Sequence, residues 1–290
     1  MELSVILPSH NGARTIAAQL EALSRQQWSG EWELVFVDNR STDATRAIVE
    51  SYRERLPSLQ VVDAGERSGI SYALNCGVEA AKGTSIVFCN DDDEVAPGWL
   101  AAMGDALRAD EVVAGRLEHE RLNEPWMIDV RGGPQTDRLP EWGFLPYLPF
   151  AFGTAIGVRR SMHDAIGGFD EKIAPAAEDM DYCWRLQLAG AEIRFVADAV
   201  THYRMRADIR GLWRQAYNYG GGNVLVYKKH RDLGLTPPAR PWRRGVRAWL
   251  GVGKRALFAW SRPRFLLLVW HLGLRTGMLR ASVKERVVFL

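Results

Sequence analysis

A chain of 290 residues with 47% apolar side chains can bury a large core, which excludes disorder as its general state. Its three cysteines, Cys76, Cys89 and Cys183, lack the CxxC or CxxxC spacing of a zinc or dithiol site and are expected to be buried thiols in a reducing compartment. The formal net charge of +2 hides an uneven distribution: residues 240–290 carry twelve Lys or Arg against one acid, Glu285, so the remainder is acidic.

The opening "MELSVILPSHNG" runs straight into a short strand, without a basic n-region or a long apolar h-region. No signal peptide is expected, and the expected location is cytoplasmic. Four apolar runs follow one another, "LSVILPS", "WELVFVD", "LQVVDA" and "SIVFCN". Between them, "ARTIAAQLEALSRQ", "DATRAIVESYRERL" and "GISYALNCGVEAAKG" repeat apolar residues at helical spacing. The pattern predicts βαβ units in an α/β fold, with a parallel sheet covered by helices on both faces. Ligands of such sheets bind outside the carboxyl ends of the strands. Ser9, His10 and Asn11, then Asp38 and Asn39, then Asp91 and Asp92 are therefore predicted to share one edge. N-capping is sufficient to explain Asp43 in "VDNRSTDAT".

In "SIVFCNDDDEVAPGWL" four carboxylates, Asp91, Asp92, Asp93 and Glu94, stand in a row. Adjacent carboxylates raise one another's pKa unless a cation or hydrogen-bond donors compensate. They are either turn and cap residues before the helix beginning in "APGWLAAMGDAL", or the lining of a cation site.

Residues 115–150 are irregular and rich in Pro, Gly and Trp, as expected of a binding loop or lid. "FAFGTAIGVRR" is predicted as a buried strand, "SMHDAIGGFDE" as a short helix and turn, "AEDMDYCWRLQLAG" as a helix ending at Gly190, and "AEIRFVADAVTHYR" as a strand. Glu178, Asp179 and Asp181 fall in the first turn of that helix, where acids favour the positive end of the helix dipole. The apolar Tyr182, Trp184, Leu186 and Leu188 point to a buried helix, whose start would bring a carboxylate into a cleft. "NYGGGN", residues 218–223, lacks the Lys-Ser/Thr of a phosphate loop and is expected to be a turn or helix break.

In their order, "SVILPSHNGARTI", "LVFVDNRSTDAT", "SYALNCGVEAAKG", "FCNDDDEVAPGWL", "GGFDE", "AEDMDYCWRLQLAG" and "THYR" are similar to the inverting glycosyltransferases of family 2, which have the GT-A fold. The resemblance covers roughly residues 3–230. It implies a nucleotide-binding part over 1–114, an acceptor part over 115–230 and a separate segment over 231–290. It further implies that Pro8, Ser9, His10 and Asn11 meet the nucleotide, with His10 in place of the usual aromatic ring, and that Asp38 and Asn39 bind the base side. Arg67 matches a diphosphate or base contact more loosely.

The acidic run corresponds to the family's DXD motif. Asp92 matches the metal-binding aspartate, Asp91 the residue approaching ribose and sugar, and Asn90 departs from the Asp often found there. His202 matches the histidine that completes the metal site in several members. The resemblance thus implies Mn²⁺ or Mg²⁺ and a UDP-, dTDP- or GDP-linked sugar. A site of so few protein ligands suits either ion, and a histidine favours Mn²⁺. Asp179 matches the general base, with Glu178 and Asp181 as neighbours that orient the acceptor, tune the base or merely start the helix. Trp126, Trp142 and Tyr147 are candidates for stacking on a sugar or for ordinary packing. A sugar-nucleotide nucleotidyltransferase would open with a glycine-rich basic loop, which "PSHNGARTI" is not, and a non-catalytic binder would not need Asp92, Asp179 and His202 together.

The tail from Arg240 onward reads as basic amphipathic helices. "FLLLVWHLGL" has about half of the roughly 20 residues a bilayer span needs. The tail is expected to lie on an anionic membrane surface, to pack on the catalytic domain, or to form a homodimer. No recognised nucleic-acid module accompanies its charge. The acceptor is expected to be a sugar, with lipid-linked acceptors common in the family.

Overall fold

The computed structural model describes residues 1–56, 58–173, 176–235 and 241–289. Of the basic tail, residues 236–240 and 290 lie outside the described residues.

The apolar runs become strands because every one of their side chains must leave water. Leu3–Ser9 (β1) and Trp32–Asp38 (β2) are buried at each position, which a helix with one wet face could not achieve. Between and after them come Ile16–Ser24 (α1), Thr45–Glu50 (α2), Leu59–Asp63 (β3), Ile70–Ala80 (α3) and Ser85–Phe88 (β4). β3, β2, β1 and β4 are parallel neighbours, in a register that sets Ser9 beside Asp38 and Asp38 beside Asp63. The predicted polar edge is therefore real. The second predicted helix is shorter than its apolar pattern, since α2 gives way to turns after Glu50.

The rest of the chain supplies Glu94–Val95 (β5), Trp99–Ala109 (α4), Val112–Glu118 (β6), Pro125–Arg131 (α5), Ile156–Arg159 (β7), Arg160–Ala165 (α6), Glu178–Leu188 (α7), Ile193–His202 (β8), Ile209–His230 (α8), Pro241–Leu257 (α9) and Arg262–Glu285 (α10). The sheet order is β3-β2-β1-β4-β7-β6-β8-β5, and β7 runs antiparallel to both β4 and β6. The sheet is mixed where a parallel one was predicted. The return from β6 to β7 holds α5, which packs against α10, and a single 3₁₀ turn at Gly153–Ala155, neither of them a helix laid across the sheet, and parallel pairing needs such a crossover.

One face of the sheet is covered by α1, α2 and α4 around Leu7, Leu20, Phe36 and Trp99. The other is covered by α3, α7, α8 and α10 around Ile6, Ile156, Trp184, Val224 and Met278. The second core runs from β1 to Phe289, and position 114 lies inside β6.

"NYGGGN" is no break: it lies within the 22-residue helix α8. Two of its glycines, Gly220 and Gly222, serve packing. A Cβ on Gly220 would collide with the Leu274 carbonyl of α10, and one on Gly277 would collide with the Tyr217 carbonyl of α8. The close approach of α8 and α10 offsets the low helix propensity of glycine. Leu266, Leu268 and Val269 of the "FLLLVWHLGL" run are buried in this packing. Among the described residues, no helix is long and apolar enough to cross a membrane.

Candidate active site

The carboxyl ends of β1, β2 and β3 open on a cavity of about 830 Å³ lined by His10, Asp38, Arg40, Thr42, Arg46, Asp63 and Ser68. Asp38 is almost fully buried, and its Oδ1 accepts the Ser41 amide at 3.0 Å, which leaves Oδ2 for a ligand. His10 Nδ1–H donates to the Asn39 carbonyl at 2.7 Å, so the exposed ring is fixed at the rim. Asn11 and Arg40 both hold left-handed backbone, at φ 57° and 67°. Asn11 Oδ1 accepts the Thr42 amide at 2.8 Å, which ties the two turns together. Non-glycine residues persist there only when surroundings over-determine them.

Asn39 does not face the cavity freely. Its side chain donates to the Ala64 and Arg67 carbonyls at 2.7 Å each and accepts the Gly69 amide at 3.0 Å, so it clasps the 64–69 loop. Arg67 pairs with Glu171 at 2.5 Å and lies over the Tyr72 ring. The structure thus gives Arg67 an internal partner. Pro8 is a buried member of β1. Asp43 accepts the Thr45 and Ala13 amides, as a residue that starts α2 should.

The four adjacent carboxylates have four different fates. Asp91 accepts the Ser9 hydroxyl, and burial together with Asp92 pushes it up to about 6. A side chain at Gly12 would collide with Asp91 Oδ2, which is why glycine follows Asn11. Asp92 pairs with Arg206 at 2.9 Å. Asp93 is buried and accepts the Arg204 amide at 2.8 Å, while its Oδ2 has no partner among the described residues; burial, then Asp92, push it up to about 8. Glu94 meets Arg204 at 3.3 Å and Arg121 at 3.5 Å.

β5 pairs Glu94 with His202 of β8, which brings "THYRMR" against the acidic run. His202 Nδ1–H donates to Glu118 Oε2 at 2.5 Å, and this fixes the tautomer with Nε2 as the free lone pair. No three of His, Cys, Asp and Glu converge as metal ligands among the described residues. Asp92 and His202 fit a hard divalent ion only as a sparse pair, completed by oxygens of a substrate. Asp91 and Asp93, pushed up by burial and then by the Asp92 charge, mark the corner as one that a cation would stabilise.

At the start of α7, Asp179 and Glu178 line a cavity of about 210 Å³ with Phe150, Phe152, Met180, Tyr219 and Asn223. Asp179 Oδ2 accepts the Gly153 amide at 3.2 Å and Oδ1 the Met180 amide at 2.8 Å. Burial still raises its pKa. Glu178 Oε2 is buried without a partner among the described residues, and burial and the Asp179 charge push Glu178 up to about 8. Both project from a turn in which Ala177 is left-handed at φ 74°.

Asp181 goes elsewhere. It is fully buried and accepts from Arg185 at 2.8 Å, Lys229 at 2.8 Å and His230 at 2.8 Å. Its role here is to staple α7 to α8. Trp142 and Tyr147 are packing groups: Trp142 stacks on Phe289 and donates to Asn223 at 2.5 Å, and Tyr147 lies edge-on to Trp184. Trp126 lies beneath Arg262 in a small cluster with Leu266. Glu118, Arg204, Arg206, Tyr219 and Asn223 were not found by sequence reasoning. The alternation "HYRMR" at a strand exit was the available signal for the two arginines. Another cavity, of about 600 Å³, lies at the opposite ends of β1 and β4, where Arg159 already donates to the Leu107 and Arg108 carbonyls.

The model of the family described as "Glycosyl transferase family 2" matches residues 4–167, and that of "Glycosyl transferase family group 2" matches residues 143–283. The chain is 27% identical over 253 residues to the Probable glycosyltransferase YdaM of Bacillus subtilis, covering 79% of this chain and 56% of YdaM. It therefore spans little more than half the length of that relative. Among solved structures it resembles the mannosyltransferase PcManGT from Pyrobaculum calidifontis in complex with GDP-Man and Mn²⁺, at a TM-score of 0.69 and 19% identity, covering 98% of this chain and 88% of that one. It also resembles S. aureus TarS 1-349 in complex with UDP-GlcNAc, at a TM-score of 0.56 and 19% identity, covering 99% and 93%. The fold is that of the GT-A glycosyltransferases.

Proposed function

Because the chain belongs to glycosyl transferase family 2, we propose that it transfers a sugar, with inversion, from a nucleoside-diphosphate sugar to an acceptor hydroxyl. The observation that carries the reading is Asp179, a carboxylate held by two backbone amides and lining a cavity large enough for part of an acceptor. GDP-Man and UDP-GlcNAc in the two neighbours support a nucleotide-sugar donor.

Asp38 receives the nucleotide base, with the His10 ring at its edge, and Asp91 receives ribose and sugar hydroxyls. Asp92 and the Nε2 of His202 would hold Mn²⁺ or Mg²⁺, which when bound would offset charge on the leaving diphosphate. Arg206 must then exchange its Asp92 partner for a phosphate. Asp179 takes the acceptor proton as that oxygen attacks the anomeric carbon and the bond to the diphosphate breaks. A pKa raised by burial strengthens Asp179 as a base. The acceptor is a sugar hydroxyl, free or lipid-linked, of the kind used in cell-surface glycan or glycolipid assembly.

The first test is calorimetric titration of UDP, dTDP and GDP, with and without Mn²⁺. One nucleotide is expected to bind selectively and to need the metal. Asp179→Asn is expected to keep that binding while turnover of the matching donor drops by about 10²- to 10⁴-fold. Near-normal turnover in Asp179→Asn, with loss in Glu178→Gln, would move the base to Glu178.

A further inference from the structure

We infer that α9 is an in-plane docking helix for an anionic phospholipid surface. Trp242, Val246, Trp249, Gly253 and Leu257 recur at three- and four-residue intervals and form one stripe of α9, with Leu250 beside it. A stripe of this kind normally faces a core. Here Trp242, Val246, Trp249, Leu250 and Leu257 are between 38% and 77% exposed, and α9 seats itself on the protein through Gly245 and Val252 at the margin of the stripe. Large apolar side chains left in water in such a row mark an interaction surface. The row continues into the turn before α10, where Phe258 and Trp260 are also exposed.

Charge selects the partner. Arg243, Arg247 and Lys254 border the free side of the stripe, and α9 contains no Asp or Glu. The ion pairs of the neighbouring segments use Lys228, Arg231, Asp232, Lys284 and Glu285; among the described residues none reaches the five basic side chains of α9. On its other flank, Arg244 and Arg255 approach Arg275 of α10. Burial, then these two charges, lower the Arg275 pKa. Burial, then Arg255 and Arg275, hold His271 down to about 4.

A cationic rim with an apolar centre matches lipid phosphates above acyl chains, and tryptophan favours that boundary. A second copy would bring the same uncompensated charges face to face. A nucleic acid would leave the Trp and Leu stripe uncovered. α10 takes no part as a span, since it is packed into α8 through Gly273 and Gly277. The basic tail thus divides into a packed strut and a docking helix.

The test is co-sedimentation of the full chain with phosphatidylcholine vesicles, with and without phosphatidylglycerol, at low and raised salt. Binding that needs phosphatidylglycerol and weakens with salt is expected. The double variant Trp249→Ser/Leu257→Ser should bind roughly tenfold more weakly or worse, from the apolar area lost. Arg243→Gln/Arg247→Gln/Lys254→Gln should remove the preference for phosphatidylglycerol. Nucleotide binding, measured alongside, reads the sheet edge and reports whether each variant is folded, so failure here is separable from failure of the transfer chemistry. Absence of binding to anionic vesicles would overturn the assignment, as would equal binding by the serine variant. A solution dimer dissolved by Trp249→Ser/Leu257→Ser, or preferential capture of RNA lost with the glutamine variant, would give the face to another partner and equally overturn it.

Discussion

Asp91 to Glu94 show how little a residue type fixes its own role. One carboxylate accepts from Ser9, one pairs with Arg206, one is sealed against the Arg204 amide and one meets two arginines. His202 has a role only through Glu118, which holds one ring nitrogen and so aims the other. Partners of this kind typically contribute about ten- to a hundredfold to metal affinity. Glu118→Ala is expected to weaken Mn²⁺ binding by about that factor in titrations of the nucleotide-saturated protein, with nucleotide binding in the absence of metal unchanged. Unaltered Mn²⁺ affinity would remove His202 from the site.

At the scale of the element, the first turn of α7 separates three acids into two functions. Glu178 and Asp179 face the cavity beside Tyr219 and Asn223, while Asp181 turns inward to Arg185, Lys229 and His230. Burial pushes Asp181 up, but the His230 hydrogen bond and the charges of Arg185 and Lys229 outweigh it and hold the carboxyl at about 2, below its ordinary 3.8. A depressed carboxylate contributes stability above its unfolded pKa, and that contribution disappears as pH falls through the interval down to the folded value. Asp181→Ala should cost about 3 kcal/mol in denaturant unfolding at neutral pH, because it leaves buried positive groups unpaired. The deficit should shrink on acidification toward the folded-state pKa. Asp179→Asn should cost far less, which separates the staple from the proposed base by stability alone.

At the scale of the molecule, the core on the α8 side joins segments that the sequence seemed to keep apart. Phe289 stacks on Trp142 and Tyr227, and Met278 of α10 is buried beside Val224 of α8. Residues 1–230 expressed without α10 are therefore expected to aggregate or to unfold at much lower temperature, since truncation bares the Gly220 face of α8. A truncated chain with unchanged melting temperature and nucleotide binding would support a boundary at 230. In the full chain, Phe289→Ala should cost about 3 kcal/mol.

Much of the site was legible because its parts are local. Strand exits follow apolar runs, so Asp38 and Asp91 could be placed from periodicity, and Asp179 could be placed at a helix start. The family's motif order supplied chemistry that periodicity could not. Glu118 and Arg206 were illegible because their partners come from distant strands, and strand register is a property of the whole sheet.

The sequence by itself determined the first four strands, the helices α1, α3, α4 and α7 and the ordered set of acids, since each follows from how a short segment hides apolar groups or caps its own backbone. Tertiary structure alone decided which acid faces a cavity and which becomes a staple. It decided that β7 runs backward and that Gly220 lets α8 close on α10 where the sequence suggested a break. It also left the apolar stripe of α9 in water while closing α10 against α8. These outcomes depend on which surfaces meet across long separations in the chain, where burial and charge pairing are settled together.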